Sequence, residues 1–95
     1  MEGNVLVVDD DEEITELLEV YLSSEGFSVH RFNSALPVLE DLDRVTYDAA
    51  ILDVMLPDMD GFTLCKKIRE KWKFPIIMLT AKGMDSDKIP PRPAL

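Results

Sequence analysis

Acidic and hydroxyl side chains stand where three apolar runs of this sequence end. They are Asp9 and Asp10 after residues 5–8, Asp53 after residues 49–52, and Thr80 after residues 75–79. Carboxylates brought close together repel one another, and protons or a cation must neutralise them. An oxygen-rich site of this kind suits Mg²⁺, which takes one or two carboxylates, keeps several waters and can bridge to a phosphoryl group. Asp53 could then form an acyl phosphate, and the Thr80 hydroxyl could donate to a phosphoryl oxygen.

Hydrophobic periodicity predicts the elements that would position these residues. Residues 5–8 form a wholly apolar, β-branched run, which is typical of a strand covered on both faces. The acids at 11–13 suit the first turn of a helix, and Gly26 suits its C-terminal cap. The apolar residues between them follow the spacing of one helix face: Ile14, Leu17, Leu18, Tyr21 and Leu22.

The same alternation of strand and helix continues along the chain. Residues 27–32 alternate like a strand nearer a sheet edge, Ser34 fits the cap of a second helix, and Pro37 fits that helix's first turn. Asp58–Gly61 predicts a turn followed by the cap of a third helix. The remaining elements are strands at 49–53 and 75–79 and a third helix with Leu64, Ile68 and Trp72 on one face.

Four strands that alternate with three helices predict an α/β fold with a parallel sheet and helices on both faces. In such a sheet the carboxyl ends of all strands lie along one edge, where ligands bind at the point at which the strand order reverses. A flavodoxin-like order of 2-1-3-4 makes the first and third strands neighbours. Asp9 and Asp10 would then face Asp53.

Composition limits the classes of function. A chain of 95 residues makes one small domain, and its net charge of −9 makes it a poor nucleic-acid binder because phosphate contacts need clustered Lys and Arg. No apolar run approaches the roughly 18 residues of a membrane span. The start of the chain lacks a secretory pattern, and the single Cys65 cannot form an internal disulfide, so we expect a cytoplasmic protein.

Three segments together resemble the receiver domain of bacterial two-component response regulators, which belongs to the CheY-like superfamily. They are Val7–Asp11, Leu52–Gly61 and Met78–Lys82, in the family's order and each at a strand end. The last two are most similar to the OmpR/PhoB-type subfamily, whose members usually regulate transcription. The resemblance covers roughly residues 4–89, so we assign residues 1–89 to a receiver domain and residues 90–95 to a Pro-rich tail outside the family.

The resemblance implies a role for each site residue. Asp53 would accept a phosphoryl group from a phosphohistidine of a sensor histidine kinase, which is self-phosphorylation rather than enzymatic turnover. Asp10, Asp53 and the backbone carbonyl of Met55 would bind Mg²⁺, and Asp9 would act mainly through water. Thr80 would contact the phosphate.

The chain also departs from the family pattern. Receivers carry an essential lysine at the end of a fifth strand, whereas neither Lys82 nor Lys88 lies in a matching context. The resemblance therefore implies a C-terminally truncated receiver with weakened transfer. The alternative is an interaction or dimerisation module that is not phosphorylated; a Mg²⁺-dependent phosphatase is disfavoured because no general acid–base residue is visible.

The proline-rich end of the chain carries a prediction about assembly. Residues 90–95 suit an extended, unpaired end. In the family a fifth strand flanks the fourth, and without it the apolar edge of the fourth strand would be exposed. We therefore expect a homodimer or an element-swapped oligomer that forms through this strand or through residues 82–89.

Overall fold

The structure, a computed structural model, describes residues 3–79 and the backbone of residues 92–94. The helices and strands of these residues are β1 Asn4–Val8, α1 Glu12–Ser24, β2 Ser28–Phe32, α2 Leu36–Asp41, β3 Ala49–Asp53, α3 Gly61–Arg69, β4 Ile76–Leu79 and β5 Arg92–Ala94. Across these two ranges, no helix is both long and apolar enough to cross a membrane.

Four parallel strands form the body of the sheet in the order β2-β1-β3-β4, which confirms the predicted flavodoxin-like arrangement. β1 lies between β2 and β3 and is the most buried strand; Val7 and Val8, on its two faces, are fully inaccessible. A strand covered on both faces needs apolar residues at every position, which is why residues 5–8 do not alternate.

A fifth strand, which the sequence did not predict, lies at the edge of the sheet. β5 pairs with β4 in the antiparallel sense, with Ala94 opposite Ile76 and Arg92 opposite Met78. The prediction of an unpaired tail is therefore wrong for residues 92–94. An extended, proline-containing segment already has dihedral angles near those of a strand, and an edge strand tolerates proline.

The pairing with β5 also changes the argument for self-association. The predicted homodimer or element-swapped oligomer rested on an open edge of β4, and residues 76–78 of that strand have a partner within the same chain. Unpaired N–H and C=O groups of an edge strand template association, so covering them removes the reason for expecting it. Association through this edge thus has no support from the fold, and the other predicted route, through residues 82–89, lies outside the described residues.

The two helices α2 and α3 pack on one face of the sheet and form the main core. The fully buried residues of this core include Leu6, Val8, Val38, Leu52, Leu64, Ile68 and Ile76. α3 begins as predicted, because the Asp60 carboxylate accepts hydrogen bonds from the Thr63 N–H at 2.8 Å and the Thr63 hydroxyl at 2.9 Å.

Helix α1 lies next to β1 and β2, and both of its ends follow the sequence prediction. The Asp11 carboxylate caps the N-terminus by accepting the Glu13 N–H at 3.0 Å. At the other end Gly26 has a φ of 97°, and the Phe27 N–H donates to the Leu22 carbonyl at 3.1 Å. This is a Schellman ending, which glycine permits without strain.

Candidate functional site

Three carboxylates meet at the carboxyl ends of β1 and β3. Val8 is paired with Leu52, so the next residues, Asp9 just after β1 and Asp53 at the end of β3, lie at the same level on adjacent strands. One oxygen from each of Asp9, Asp10 and Asp53 lies within 4.8 Å of the others. Asp9 and Asp53 are 1% and 0% exposed, whereas Asp10 lies at the surface. The fold thus brings together the three acids that the sequence singled out.

Backbone hydrogen bonds orient the two buried carboxylates. Asp9 Oδ1 accepts the Asp11 N–H at 2.8 Å, and the Asp9 N–H donates to the Phe32 carbonyl at 3.0 Å. Asp53 Oδ1 accepts the Met55 N–H at 3.3 Å. These bonds come from the first residues after each strand, so the turns that leave β1 and β3 fix the direction in which the acids point.

Thr80 and Met55 were also predicted to belong to the site. Thr80 lies outside the described residues. The Met55 N–H donates to Asp53, and Met55 also forms an isolated antiparallel bridge with Asp60, so its backbone lies beside the acidic cluster. The role of the Met55 carbonyl as a metal ligand stays a prediction.

Gly61 closes the base of the β3–α3 loop (residues 54–60) against the backbone of Asp53. Its N–H donates to the Val54 carbonyl at 2.7 Å, and a Cβ at this position would lie only 2.1 Å from the Asp53 carbonyl oxygen. Atoms that are not bonded cannot approach this closely, so only glycine fits without a movement of the loop. This requirement was not predicted from the sequence.

Asp58 caps α2 from a loop 22 and 23 residues away in the chain. Its Oδ1 accepts the Ala35 N–H at 2.9 Å, and its Oδ2 accepts the Leu36 N–H at 2.9 Å. The predicted cap by Ser34 is wrong: Ala35 is the cap residue, and its own side chain makes no capping bond. A carboxylate that accepts two N–H groups satisfies this helix end better than one hydroxyl could.

Protonation of the Asp58 carboxylate at low pH should remove this cap. The Ala35 and Leu36 N–H groups hold the pKa of Asp58 below its ordinary value of 3.8. A carboxyl whose pKa is depressed in the folded state stabilises the fold above its unfolded pKa, and this contribution is lost as the pH falls through the folded pKa. The advantage in unfolding free energy of the wild type over Asp58→Asn should therefore shrink below about pH 4.

Urea unfolding of both proteins between pH 3 and pH 7 measures this difference. Glu16→Gln, at an exposed acid of α1, is the matched control, because it also removes one carboxylate without touching a cap. An Asp58→Asn difference that stays constant across this range would contradict the assignment.

The donor set suits a hard divalent cation. It consists of three carboxylate oxygens within 4.8 Å of one another, two of them on buried side chains. Such clustered negative charge is costly to bury unless a cation compensates it, and oxygen ligands of this kind favour Mg²⁺. A cavity of about 410 Å³ adjoins the cluster on the side of Asp9, and its lining includes Glu12, Thr15 and Arg31.

Comparison with known proteins gives one consistent result. Residues 5–90 match the family described as the response regulator receiver domain. The regulatory protein VanR of Enterococcus faecium is 47% identical over 89 residues, which are 94% of this chain and 38% of VanR. The transcriptional regulatory protein GltR of Pseudomonas aeruginosa is also 47% identical, over 90% of this chain and 37% of GltR. The chain thus spans about two-fifths of the length of these curated relatives.

Solved structures agree with the sequence relatives. The BeF3-activated receiver domain of RstA from Klebsiella pneumoniae matches with a TM-score of 0.79 and 33% identity, over 92% of this chain and 74% of that one. TrrA of Thermotoga maritima, solved in complex with Mg²⁺-BeF, matches with a TM-score of 0.78 and 33% identity, over 92% of this chain and 76% of that one.

Proposed function

The chain belongs to the response regulator receiver domain family of two-component signalling, and we propose that it accepts a phosphoryl group on Asp53 from a sensor histidine kinase. The observation that carries the proposal is the convergence of Asp9, Asp10 and Asp53 within 4.8 Å at the ends of two adjacent strands. A single aspartate at a strand end has many explanations. Three that meet, two of them buried, form a site that could hold a cation.

Each residue has a distinct part in the proposed reaction. A carboxylate oxygen of Asp53 attacks the phosphorus and a new P–O bond forms, while the bond from phosphorus to the histidine nitrogen breaks; the ring takes up one proton from water, so that a neutral imidazole leaves. Asp9, Asp10, Asp53 and the Met55 carbonyl would hold Mg²⁺. When bound, this cation supplies positive charge against the phosphoryl oxygens. Burial of Asp53 limits the approach of water to the acyl phosphate, and Thr80 would donate to a phosphoryl oxygen.

The net charge of −9 argues against direct nucleic-acid binding by these residues. The relatives named as transcriptional regulators are much longer than this chain, so any effect on transcription would come from regions that the match does not cover. A cytoplasmic location stays a prediction.

We further propose that a polypeptide of these 95 residues accepts the phosphoryl group slowly. In sequence, neither Lys82 nor Lys88 has the context of the lysine that pairs with the phosphoryl group in receivers. One charge-assisted hydrogen bond contributes about 1.5–3 kcal/mol, which corresponds to a rate roughly 10-fold to 150-fold lower.

Acetyl phosphate with Mg²⁺, followed by intact-mass analysis over several hours, tests the function. We expect a slow gain of one phosphoryl mass that disappears when EDTA replaces Mg²⁺. If the folded chain gains no mass at any Mg²⁺ concentration, phosphoryl acceptance is rejected and the alternative of an unphosphorylated interaction module takes its place.

Mg²⁺ should also stabilise the fold, because it binds the clustered carboxylates of the native state only. At a concentration 100 times its Kd, the free energy of unfolding should rise by about 2.7 kcal/mol. Asp10→Ala should lose most of this increase, while Glu16→Gln should retain it. Urea unfolding with and without Mg²⁺ measures the effect, and an equal increase in both variants would place the cation elsewhere.

A further inference from the structure

The β3–α3 loop (residues 54–60) carries both Met55, beside the acidic cluster, and Asp58, at the start of α2. We propose that Asp58 is a positioning residue that ties this loop to α2 and thereby fixes the Met55 carbonyl for Mg²⁺. This inference rests on the proposed function, because it gives the carbonyl a cation to bind.

The base of the loop is held by short-range contacts. Gly61 donates to the Val54 carbonyl at 2.7 Å, and Met55 and Asp60 form a bridge. These contacts bring the two ends of the loop together but leave residues 56–59 between them. Within that interval Leu56 and Met59 pack, partly buried, against the main core, and Asp58 adds hydrogen bonds to the start of α2.

The start of α2, which Asp58 contacts, is held rigidly. Ala35, which donates to Asp58, is fully buried in the main core, as is Val38 one turn later. A loop attached to a fully packed helix start cannot move without breaking hydrogen bonds or core contacts. Asp58 therefore transmits the fixed position of α2 to the loop that holds Met55.

The start of α2 also depends on Asp58 for its own hydrogen bonding. The helix has six residues, no acid in its first turn and a proline, Pro37, in that turn. Since proline has no N–H, the Ala35 and Leu36 groups are the first donors of the helix that need acceptors, and Asp58 accepts both. A plain capping role would explain these bonds as well, so the test must separate stability from metal binding.

Asp58→Ala and Asp58→Asn, compared with the wild type, provide that separation. Isothermal titration calorimetry measures the Kd for Mg²⁺, and acetyl phosphate reactions at varied Mg²⁺ give the half-saturating concentration and the maximal rate. We expect Asp58→Ala to weaken Mg²⁺ binding about 10-fold, as loss of an outer-shell partner does in other metal sites. The maximal rate at saturating Mg²⁺ should stay within about twofold, since Asp58 positions a ligand and does not contact the reacting atoms. Asp58→Asn, which keeps one oxygen acceptor, should lie between Asp58→Ala and the wild type.

Val38→Ala is the stability control. It removes buried methyl groups from α2 and destabilises the fold while keeping the Asp58 side chain and the Ala35 and Leu36 N–H groups to which it bonds. We expect it to lower the urea midpoint while leaving the Kd for Mg²⁺ unchanged. A weakening in Val38→Ala equal to that in Asp58→Ala would show that Asp58 acts only through the stability of α2, and would overturn the proposal.

Two other outcomes would also reject it. If the wild type binds Mg²⁺ and Asp58→Ala binds it equally well, the positioning role fails while the proposed function stands. If the folded wild type neither binds Mg²⁺ nor gains a phosphoryl group, both fail together.

Discussion

Asp53→Asn should abolish phosphorylation of the chain and, in the absence of Mg²⁺, should make the fold about 1 kcal/mol more stable. Asparagine has the same shape and keeps an oxygen that can accept the Met55 N–H, but its amide cannot form an acyl phosphate. The gain in stability follows because one of three carboxylates that lie within 4.8 Å no longer repels the other two. One substitution would thus separate the chemistry of the site from its packing.

Intact-mass analysis after incubation with acetyl phosphate and Mg²⁺ measures the first effect, and urea unfolding in EDTA measures the second. Asp60→Asn is the matched control, because it makes the same exchange at an exposed acid that caps α3. It should keep the phosphoryl gain. A phosphoryl mass on the Asp53→Asn protein, located on another residue by peptide mapping, would mean that the acceptor is misassigned.

Gly61→Ala should destabilise the fold by about 3 kcal/mol and slow phosphorylation. The added Cβ would lie 2.1 Å from the carbonyl oxygen of Asp53 and 2.9 Å from its carbonyl carbon. The Met78 methyl group, 3.0 Å away, can rotate aside, but the backbone of Asp53 is held within the parallel sheet. Either the loop moves away from β3 or Asp53, the proposed acceptor, shifts, and both disturb the site.

Gly26→Ala provides the comparison for this prediction. Gly26 must also lack a side chain, but there the reason is its φ of 97° at the end of α1. It lies far along the chain from the acids. That substitution should cost about 1–2 kcal/mol and leave the rate of phosphorylation unchanged. If urea unfolding gave equal losses for the two variants, and both reacted at the wild-type rate, the close approach of Gly61 to Asp53 would have no functional consequence.

Local spacing predicted the four parallel strands, the three helices and the acidic cluster. The uninterrupted apolar run in β1 predicted a buried strand, and parallel pairing of β1 with β3 made Asp9 and Asp53 neighbours because carboxyl ends share one edge. Caps whose partners lie within one turn, at Asp11 and Asp60, were also predictable. These features depend on local spacing and on a simple topological rule.

The periodicity of α1 shows a limit of predicting burial from spacing. It found the helix, yet two of the five residues assigned to its apolar face, Leu17 and Tyr21, are 69% and 62% exposed. Spacing shows which residues share a face of a helix, but the neighbours that cover that face come from other parts of the chain.

The other features could be seen only in the tertiary structure, because they are contacts between distant segments. The cap of α2 comes from Asp58, 22 and 23 residues away, and the close approach of Gly61 to the Asp53 carbonyl follows from the path of the loop. The pairing of β5 with β4 turned a proline-rich end into an edge strand. Each of these depends on which segments the fold brings within a few ångströms, and local sequence pattern carries no information on contacts between distant segments.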